Sequence, residues 1–439
     1  MGDAVVVPVN SRWTAAEVGA VLRDCGATVL VVDDSYASML ADLRRQAPNL
    51  SAVVAMGDAA NPQETVDHED LIADAARIED SRRGGDALFG IFYTGGTTGP
   101  SKGAMLTHDN VLTSALGSLA TGEFVTPGGS LLHVAPLFHL ADLAMWVAML
   151  VTGGTHVMLP QFTPAGVLAA IEEHRITDML LVPTMIQLLV DCPDTDRFDV
   201  TNLNQLVYRG SSIAPAVLAR ARKALPAARL VQAYGMTELA PVATLLLPAD
   251  HDVPELVRSA GRAAPHSAVR IVDADGAELR RGEVGEIVVG GDHVMLGYWQ
   301  RPDETTHALR DGWMHTGDAG FMDGKGYVYV VDRIKDVIIT GDENVYPAEV
   351  DGVLAGHPAV VGCAVIGLPD QKWGERVHAV VVLAPGASVT ADDLRPFCRR
   401  ELAGYKVPRS VEFVDALPIS AAGKVLKRQL RSERLSGVS

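Results

Sequence analysis

Short apolar runs alternate with amphipathic stretches along the chain as far as residue 268. The apolar runs have the length of β-strands and lie at residues 28–32, 51–55, 131–135, 155–159, 178–182, 206–208 and 229–231. Helical periodicity is found between many of them, at residues 14–24, 164–174 and 215–224. Because strands that alternate with helices pair in parallel, this pattern predicts an α/β fold with parallel sheets.

The pattern changes after residue 268, where the strand-like runs become shorter and the turns become rich in glycine. Runs at 269–272 and 286–289 indicate a β-rich subdomain. The compact, charged segment 332–336 is typical of a hinge between domains. Beyond it, two helical patterns (347–354 and 391–402) and two strand-like runs (360–366 and 377–382) follow. We therefore predict a large N-terminal domain over residues 1–333 and a small, mobile α+β domain over residues 334–439.

A loop rich in glycine and threonine occupies residues 93–103, with the sequence Tyr-Thr-Gly-Gly-Thr-Thr-Gly-Pro-Ser-Lys-Gly. It follows the strand-like run 87–92, and Thr107 beyond it is placed to cap a helix that ends near Leu119. Glycines let backbone N–H groups approach an anion, and threonine hydroxyls and a lysine add donors, so the loop predicts a polyphosphate site. The residues concerned are Thr94, Gly95, Gly96, Thr97, Thr98, Gly99 and Lys102. The spacing fits neither the P-loop nor the G-x-G-x-x-G pattern, so a surface turn stays an alternative for the loop taken alone.

Composition narrows the class of protein. The 439 residues carry a net charge of −17, which argues against general nucleic-acid binding and against a polybasic membrane anchor. The apolar stretch 134–151 contains a histidine and an aspartate and predicts a buried helix, so no integral membrane segment is expected. No secretory signal is expected either. The four cysteines have no metal-binding spacing and indicate reduced thiols in a cytoplasmic protein.

Further motifs follow the loop in order. They are Pro-Leu-Phe-His (136–139), Gln-Ala-Tyr-Gly-Met-Thr-Glu (232–238), Gly-Arg (261–262), Gly-Glu-Ile (285–287), Gly-Tyr-Trp (297–299), Arg-Pro (301–302), Gly-Trp-Met-His-Thr-Gly-Asp (312–318), Asp-Arg-Ile-Lys-Asp (332–336), and Pro418 before Gly423 and Lys424. This ordered set resembles the AMP-forming adenylating enzymes over essentially the whole chain. Segments 343–347 and 368–375 are most similar to those of bacterial fatty-acyl-CoA synthetases.

The resemblance implies an ATP- and Mg²⁺-dependent ligase. Such an enzyme converts a hydrophobic, fatty carboxylic acid to an acyl adenylate, releases pyrophosphate, and then forms a thioester with CoA. The expected partners are small molecules, and a homodimer is compatible with the resemblance. Two alternatives stay open: an acyl-AMP ligase that delivers the acyl group to a carrier-protein thiol, and a truncated, inactive ligand-binding remnant.

Activation brings anionic groups together, so cations and oriented donors must offset their repulsion. The resemblance assigns Glu238 to Mg²⁺, Thr237 to the α-phosphate and Tyr234 to the face of adenine. Taken alone, Glu238 would be a solvated loop acid and Tyr234 a core tyrosine. The other residues that it implies around the nucleotide are Gly210, Ser211, Ser212, Ala233, Gly235 and Met236. Arg209 stands where a small residue is expected.

The resemblance also assigns residues near and beyond the hinge. It places Asp318 and Arg333 at the ribose hydroxyls and makes Lys335 the hinge residue, although Asp318 alone would be a turn residue. Gly341 is expected near the pantetheine tunnel. The sequence departs from the family after it, because Asp342 replaces a second glycine. A carboxylate there would add bulk and negative charge near CoA, so we expect weaker thioester formation than adenylation.

Two further residues have predicted catalytic roles. Lys424 follows the stretch Ile-Ser-Ala-Ala-Gly, and a long, mobile cation there could bridge the acid's carboxylate and the α-phosphate. Its alternative is an exposed tail lysine. His139 resembles the family histidine near the reacting carboxylate, although the glycine that usually follows is absent and a core histidine is the alternative.

The beginning of the chain also departs from the family pattern. Residues 4–9 resemble an interior strand of the large domain, which in family members follows a further αβ portion. We therefore expect the chain to lack the first part of its large N-terminal domain. A longer chain would then be more soluble and show a higher thermal transition.

Overall fold

The computed structural model describes residues 3–57, 65–76, 78–94, 101–210, 213–341, 343–419 and 425–436. The chain forms two compact units. The first comprises Met1–Val269 and Val289–Met314, and the second comprises Arg270–Val288 and His315–Ser439. The predicted domain boundary after Arg333 lies inside the second unit and stays a prediction. The predicted α/β class is confirmed.

Twelve α-helices lie in the described residues. They are α1 Ala15–Cys25, α2 Leu40–Gln46, α3 His68–Asp74, α4 His108–Leu119, α5 Leu140–Val151, α6 Pro164–Glu173, α7 Pro183–Val190, α8 Pro215–Ala224, α9 Pro302–Ala308, α10 Pro347–Ala355, α11 Ala391–Arg399 and α12 Lys427–Ser436. Five of them begin at a proline, which lacks an N–H that the first turn would leave without a partner. Every helix in this described part is too short or too polar to traverse a bilayer.

The helix predicted after Thr107 is confirmed. Thr107 caps α4: its side chain accepts from the Asn110 N–H, while the Asn110 side chain accepts from the Thr107 N–H. This reciprocal cap satisfies two N–H groups at the start of the helix. It therefore fixes the residue at which the chain changes from strand to helix behind the predicted phosphate loop.

The strands of the first unit are β1 Val29–Asp33, β2 Ala52–Met56, β3 Val66–Asp67, β4 Leu88–Thr94, β5 Lys102–Thr107, β6 Ser130–His133, β7 Thr155–Met158, β8 Asp178–Leu181, β9 Gln205–Arg209, β10 Arg229–Tyr234, β11 Thr244–Leu246, β12 Arg262–Ala263, β15 Gly297–Tyr298 and β16 Leu309–Arg310. All of them except β16 form three sheets: a parallel sheet β1-β2-β3, a small sheet β15-β5-β4 and a seven-stranded sheet β12-β11-β10-β9-β8-β6-β7.

The seven-stranded sheet confirms the predicted parallel α/β arrangement. Strands β6 to β10 pair in parallel, and β11 adds to β10 in the antiparallel direction. The core between this sheet and its helices includes Leu132, Met179, Leu206, Ile171 and Leu189, all fully buried. Because the parallel strands end at one edge, Arg209 of β9 and Tyr234 of β10 lie at the same edge, where ligands bind in open α/β sheets.

The remaining strands are β13 Ala268–Val272, β14 Gly285–Gly290, β17 Trp313–Met322, β18 Val328–Arg333, β19 Ile338–Thr340, β20 Glu343–Val345, β21 Val360–Asp370, β22 Gly374–Leu383 and β23 Ser410–Phe413. One sheet has the order β13-β14-β17-β16 with β18 on β17. Another has the order β20-β19-β22-β21 with β23 on β22. Val350 of α10 and Leu394 of α11 join Val377 of β22 in one core, as expected for the predicted α+β portion.

Three local predictions differ from the structure. Residues 4–9 form no strand, only a single parallel bridge between Val6 and Gly90. The apolar stretch 134–151 is helical only from Leu140, since the prolyl segment before it is a loop. The predicted hinge 332–336 is divided between the end of β18 and a 3₁₀ turn, Ile334–Asp336.

A buried polar chain lies inside the first unit. His133 Nδ1 is 2.9 Å from Asp142 Oδ2, and His133 Nε2 is 2.9 Å from Nδ1 of His156. Asp142 is fully buried, and burial raises the pKa of its carboxyl above the usual value despite the hydrogen bond from His133. A carboxylate is costly to desolvate, so the ionised form of Asp142 should oppose folding.

Asp142→Asn should change the pH dependence of stability. A group whose pKa is raised by folding stabilises the protein below its unfolded value of 3.8, and that stability is lost as the pH rises through the folded value. The variant should therefore gain stability relative to wild type as the pH rises above about 4, by about 1.4 kcal/mol for each unit of elevation. Urea unfolding at several pH values measures this difference. A difference for Asp142→Asn that does not change with pH would contradict the burial argument.

Candidate active site

The predicted phosphate loop connects two antiparallel strands, β4 and β5. Thr94 pairs with Lys102 across its base, and the Thr94 hydroxyl donates to the Lys102 carbonyl at 3.4 Å. The Lys102 ammonium lies 5.1 Å from the centroid of the Tyr298 ring. Gly95, Gly96, Thr97, Thr98 and Gly99 lie outside the described residues. The ends of the loop are thus held by a strand pair, with Lys102 placed against an aromatic face.

Tyr298 connects this lysine to Glu238. Its hydroxyl donates to Glu238 Oε1 at 2.7 Å, and the Glu238 carbonyl accepts from the Met295 N–H at 2.9 Å. Burial and the Glu238 carboxylate raise the pKa of the Tyr298 hydroxyl, so it remains a donor. The structure therefore brings together two predicted site residues through a third that was quoted in a motif but given no role.

The surroundings of Glu238 fit a magnesium ion bound with a polyphosphate. The residue is 5% exposed, and one carboxylate oxygen accepts a hydrogen bond from Tyr298. In the described part of the chain, no three histidine, cysteine or acidic side chains could hold a metal by themselves. Mg²⁺ usually takes one or two carboxylates and completes its shell with phosphate oxygens and water. Glu238 is suited to that partial ligation.

The ends of β9 and β10 place the remaining predicted nucleotide residues of this unit. Ala233 is buried, while Tyr234, Met236 and Thr237 are half-buried. A Cβ on Gly235 would lie 2.0 Å from the Pro241 carbonyl oxygen, so only glycine fits there. The other residues at this edge are Gly210, with φ of +94°, and Glu238 in the 3₁₀ turn Thr237–Leu239. Ser211 and Ser212 lie outside the described residues.

Asp24 anchors β4, the strand that precedes the phosphate loop. The sequence did not predict this role for Asp24. The Tyr93 hydroxyl donates to Asp24 Oδ2 at 2.6 Å. The Arg301 guanidinium lies 3.0 Å from Asp24 Oδ1, and the Trp299 indole N–H donates to the Asp24 carbonyl at 2.8 Å. One residue of α1 thus ties the strand before the loop to the segment after β15. Sequence reasoning missed Asp24 because its partners lie far from it along the chain.

His139 lies at the start of α5, and its side chain is exposed. It is therefore not a core histidine, which was the alternative to a catalytic role. Its ring lies 4.5 Å from the Phe138 ring. An apolar cavity of about 890 Å³ lies beside this segment and is lined by Phe138, Trp146 and Phe162 among others. His139 is not part of its wall. The catalytic role of His139 therefore stays a prediction.

In the second unit, Asp318 and Arg333 are brought together as the ribose prediction requires. They are paired residues of β17 and β18, and Arg333 Nε lies 2.7 Å from Asp318 Oδ1. Asp318 is 7% exposed, and the Arg333 guanidinium also donates to the Thr316 carbonyl at 3.1 Å. Asp318 therefore lies in a strand, not in a turn. The guanidinium fixes the direction of its carboxylate.

The other predicted residues of this unit lie further along the chain. Lys335 is exposed in the 3₁₀ turn Ile334–Asp336, and its pKa is lowered chiefly by desolvation. Gly341 has φ of +60° and donates its N–H to the Trp373 carbonyl at 2.9 Å. Asp342 and Lys424 lie outside the described residues. The segments that flank Lys424 are paired, since the Leu426 N–H donates to the Pro418 carbonyl at 2.9 Å.

Comparison with known proteins gives relatives that agree with the family resemblance found in the sequence. Residues 1–299 match the model of the AMP-binding enzyme family, and residues 349–424 match that of the AMP-binding enzyme C-terminal domain. The chain is 42% identical to a feruloyl-CoA synthase of Amycolatopsis over 98% of its own length and 83% of the relative's. It is 37% identical to the fatty acid–[acyl-carrier-protein] ligase ScoC of Streptomyces coeruleorubidus, over 97% and 81% of the two chains.

A solved structure supports the same family assignment. ATP-bound MatB from Rhodopseudomonas palustris superposes with a TM-score of 0.87 and 32% identity, over 99% of this chain and 84% of that one. The family model covers well over half of the present chain, and the motif residues at Glu238, Asp318 and Lys102 occur in the order that the sequence resemblance required. The chain therefore belongs to the AMP-binding enzyme family, the AMP-forming enzymes that activate carboxylic acids.

Proposed function

We propose that the chain activates a hydrophobic carboxylic acid with ATP and Mg²⁺ and then transfers the acyl group to CoA. The observation that carries this proposal is the arrangement of Lys102, Tyr298 and Glu238. A cation and a buried carboxylate are held at one tyrosine, beside the strands that end in the predicted phosphate and nucleotide segments. Such an arrangement can orient a polyphosphate and its metal counterion together.

In the first half-reaction, a carboxylate oxygen of the acid forms a bond to the α-phosphorus. The bond from that phosphorus to the β-bridging oxygen breaks, and pyrophosphate leaves. Lys102 would neutralise charge on the departing phosphates, and Thr237 would donate to the α-phosphate. Bound Mg²⁺ would supply additional neutralisation of phosphate charge, with Glu238 as its protein ligand. Tyr298 would keep the Glu238 carboxylate in the required direction.

In the second half-reaction, the CoA thiolate would attack the acyl carbon. The bond from that carbon to the AMP oxygen breaks, and AMP leaves with the electron pair. The small domain beyond Lys335 would rotate between the two steps, since hinges are a few positions that absorb a large change in φ and ψ. We place the hinge there, with the large domain before residue 334 and the small domain after it.

The apolar cavity supports a hydrophobic acid. Its wall contains the aromatic side chains Phe138, Trp146 and Phe162, with Met158 and Met185. A volume of about 890 Å³ lies in the range of small-molecule sites. Relatives named for feruloyl and fatty-acid substrates support the same class. ATP–pyrophosphate exchange with a panel of fatty and aromatic acids tests the proposal. An inactive remnant would give no exchange with any of them and would contradict it.

A carrier-protein thiol is the second candidate acceptor. It is favoured by Asp342, which replaces an expected glycine, and by the similarity to an acyl-carrier-protein ligase. The two acceptors can be separated by supplying CoA or a phosphopantetheinylated carrier protein to the same acyl adenylate. Formation of acyl-CoA supports our proposal, and acylation of the carrier alone supports the second candidate.

Asp342→Gly should favour CoA. Unit charges 4 Å apart repel by about 1 kcal/mol in bulk water and by more in a drier tunnel, so the variant should lower the KM for CoA by roughly fivefold or more. ATP–pyrophosphate exchange should change little, because the acid and ATP react before CoA enters. Asp311→Gly, an exposed substitution in the first unit, serves as the control. If Asp342→Gly leaves the CoA step unaltered, the carboxylate does not face the pantetheine group.

A further inference from the structure

Arg209 is a half-buried cation at the carboxyl edge of the seven-stranded sheet. It is the last residue of β9 and directly precedes Gly210, whose positive φ turns the chain away from the strand. Surrounding protein desolvates its guanidinium and lowers the pKa to about 10. The residue is thus charged at neutral pH and only partly exposed to solvent.

The described residues provide no counterion for Arg209. Its one hydrogen bond among them is a long contact of 3.4 Å from the guanidinium to the Gly235 carbonyl. No carboxylate among these residues influences its pKa, which is shifted by desolvation alone. A single neutral acceptor at that distance leaves most of the five N–H donors of the arginine without a partner among the described residues.

Several other half-buried arginines among the described residues are paired with carboxylates. Arg301 contacts Asp24 at 3.0 Å, and Arg434 contacts Glu412 through two nitrogen atoms at 2.6 and 2.9 Å. A desolvated charge without a partner is expensive, and such groups in proteins are paired or hold a ligand. The contrast indicates that the partner of Arg209 is a bound anion.

The position of Arg209 limits the kinds of anion that could bind to it. Gly235, which it contacts, lies in the segment that leads to Thr237 and Glu238, the residues proposed to hold the α-phosphate and the metal. Both reacting groups at this edge are oxyanions: a phosphate of the nucleotide and a carboxylate of the acid. Arginine is suited to either, since its planar fork matches two oxygens of one group.

We propose that Arg209 binds a substrate oxyanion, either a nucleotide phosphate or a carboxylate of the acid, at the carboxyl edge of the seven-stranded sheet. This role assumes the adenylation function proposed above and adds a residue that the family motifs did not assign. In the free protein the unpaired cation lowers stability, and the bound oxyanion removes that penalty. Arg209 is therefore expected to couple substrate binding to thermal stability.

Two variants test the role. Arg209→Met removes the charge and keeps an unbranched chain, so the free protein should melt about 2–4 °C higher. Arg209→Lys keeps the positive charge but lacks the planar guanidinium that can donate two parallel hydrogen bonds. This variant should melt at the same temperature as wild type. Loss of a charge-assisted hydrogen bond should weaken binding of the oxyanion by about 10- to 100-fold in Arg209→Met and by less in Arg209→Lys. Arg222→Met, which breaks the exposed pair with Asp252, is the control and should leave binding unchanged.

Two probes distinguish the source of the oxyanion. A smaller thermal shift with AMP, with unchanged KM for the acid, identifies a phosphate. An unchanged AMP shift with a raised KM for decanoate or ferulate in ATP–pyrophosphate exchange identifies a carboxylate. If wild type performs exchange and Arg209→Met matches it with both probes, or melts lower when free, Arg209 is only structural. A wild type that binds neither AMP nor any acid would overturn the adenylation function as well.

Discussion

Glu238→Gln is expected to lower ATP–pyrophosphate exchange by about 10²–10³-fold, the usual effect of removing one electrostatic group from a transition state. Glutamine keeps the size of the side chain and can still accept from Tyr298, but it lacks the negative charge that a magnesium ligand provides. The loss should therefore be partly recovered at high Mg²⁺ concentration. Exchange measured across a magnesium titration checks both points.

Tyr298→Phe is the matched control for this prediction. It removes the hydroxyl that donates to Glu238 at 2.7 Å and retains the ring beside Lys102. Because Glu238 keeps its charge and loses only one orienting contact, the expected loss is about 10-fold, the equivalent of a net hydrogen bond of roughly 1.5 kcal/mol. If Glu238→Gln keeps full activity at every magnesium concentration, Glu238 does not act through a metal, and its bond to Tyr298 is structural.

Lys424→Ala should separate the two half-reactions. A lysine that bridges the attacking carboxylate and the α-phosphate stabilises charge only while the adenylate forms, so adenylation should fall by about 10²–10³-fold. Thioester formation from a supplied acyl adenylate should be much less affected, because no pyrophosphate leaves in that step. Rapid-quench measurement of each half-reaction gives the comparison.

Lys372→Ala is the control for this experiment. Lys372 is an exposed lysine of the second unit, and its ammonium lies over the Trp373 ring at 4.8 Å. Both half-reactions should be unchanged in this variant. Equal losses in both half-reactions of Lys424→Ala would contradict the assignment, because they would indicate damage to the whole small domain.

Local sequence determined much of the architecture. The alternation of apolar runs and helical patterns predicted the parallel strands β6 to β10. Short apolar runs bounded by polar turns are typical of buried parallel strands, and β6, β8 and β9 each have three or four consecutive buried residues. Thr107 predicted the start of α4, since caps act through neighbours on the same turn. The helical patterns predicted from residues 164, 215 and 347 also start at those residues in the structure. The ordered motifs were sufficient to identify the family, because the whole set in one order is far more specific than any single motif.

The tertiary structure alone decided which side chains meet. Tyr298 and Glu238 are 60 residues apart, and Asp24 and Arg301 are 277 apart, so no local pattern could pair them. The sequence also could not show that no acidic side chain among the described residues pairs with Arg209, because it gives a charge but not the groups around it. His133 and Asp142 lie nine residues apart but bond only because α5 folds back on β6. Composition and spacing thus determined the family and the fold, whereas desolvation and long-range contacts determined how each polar residue is used.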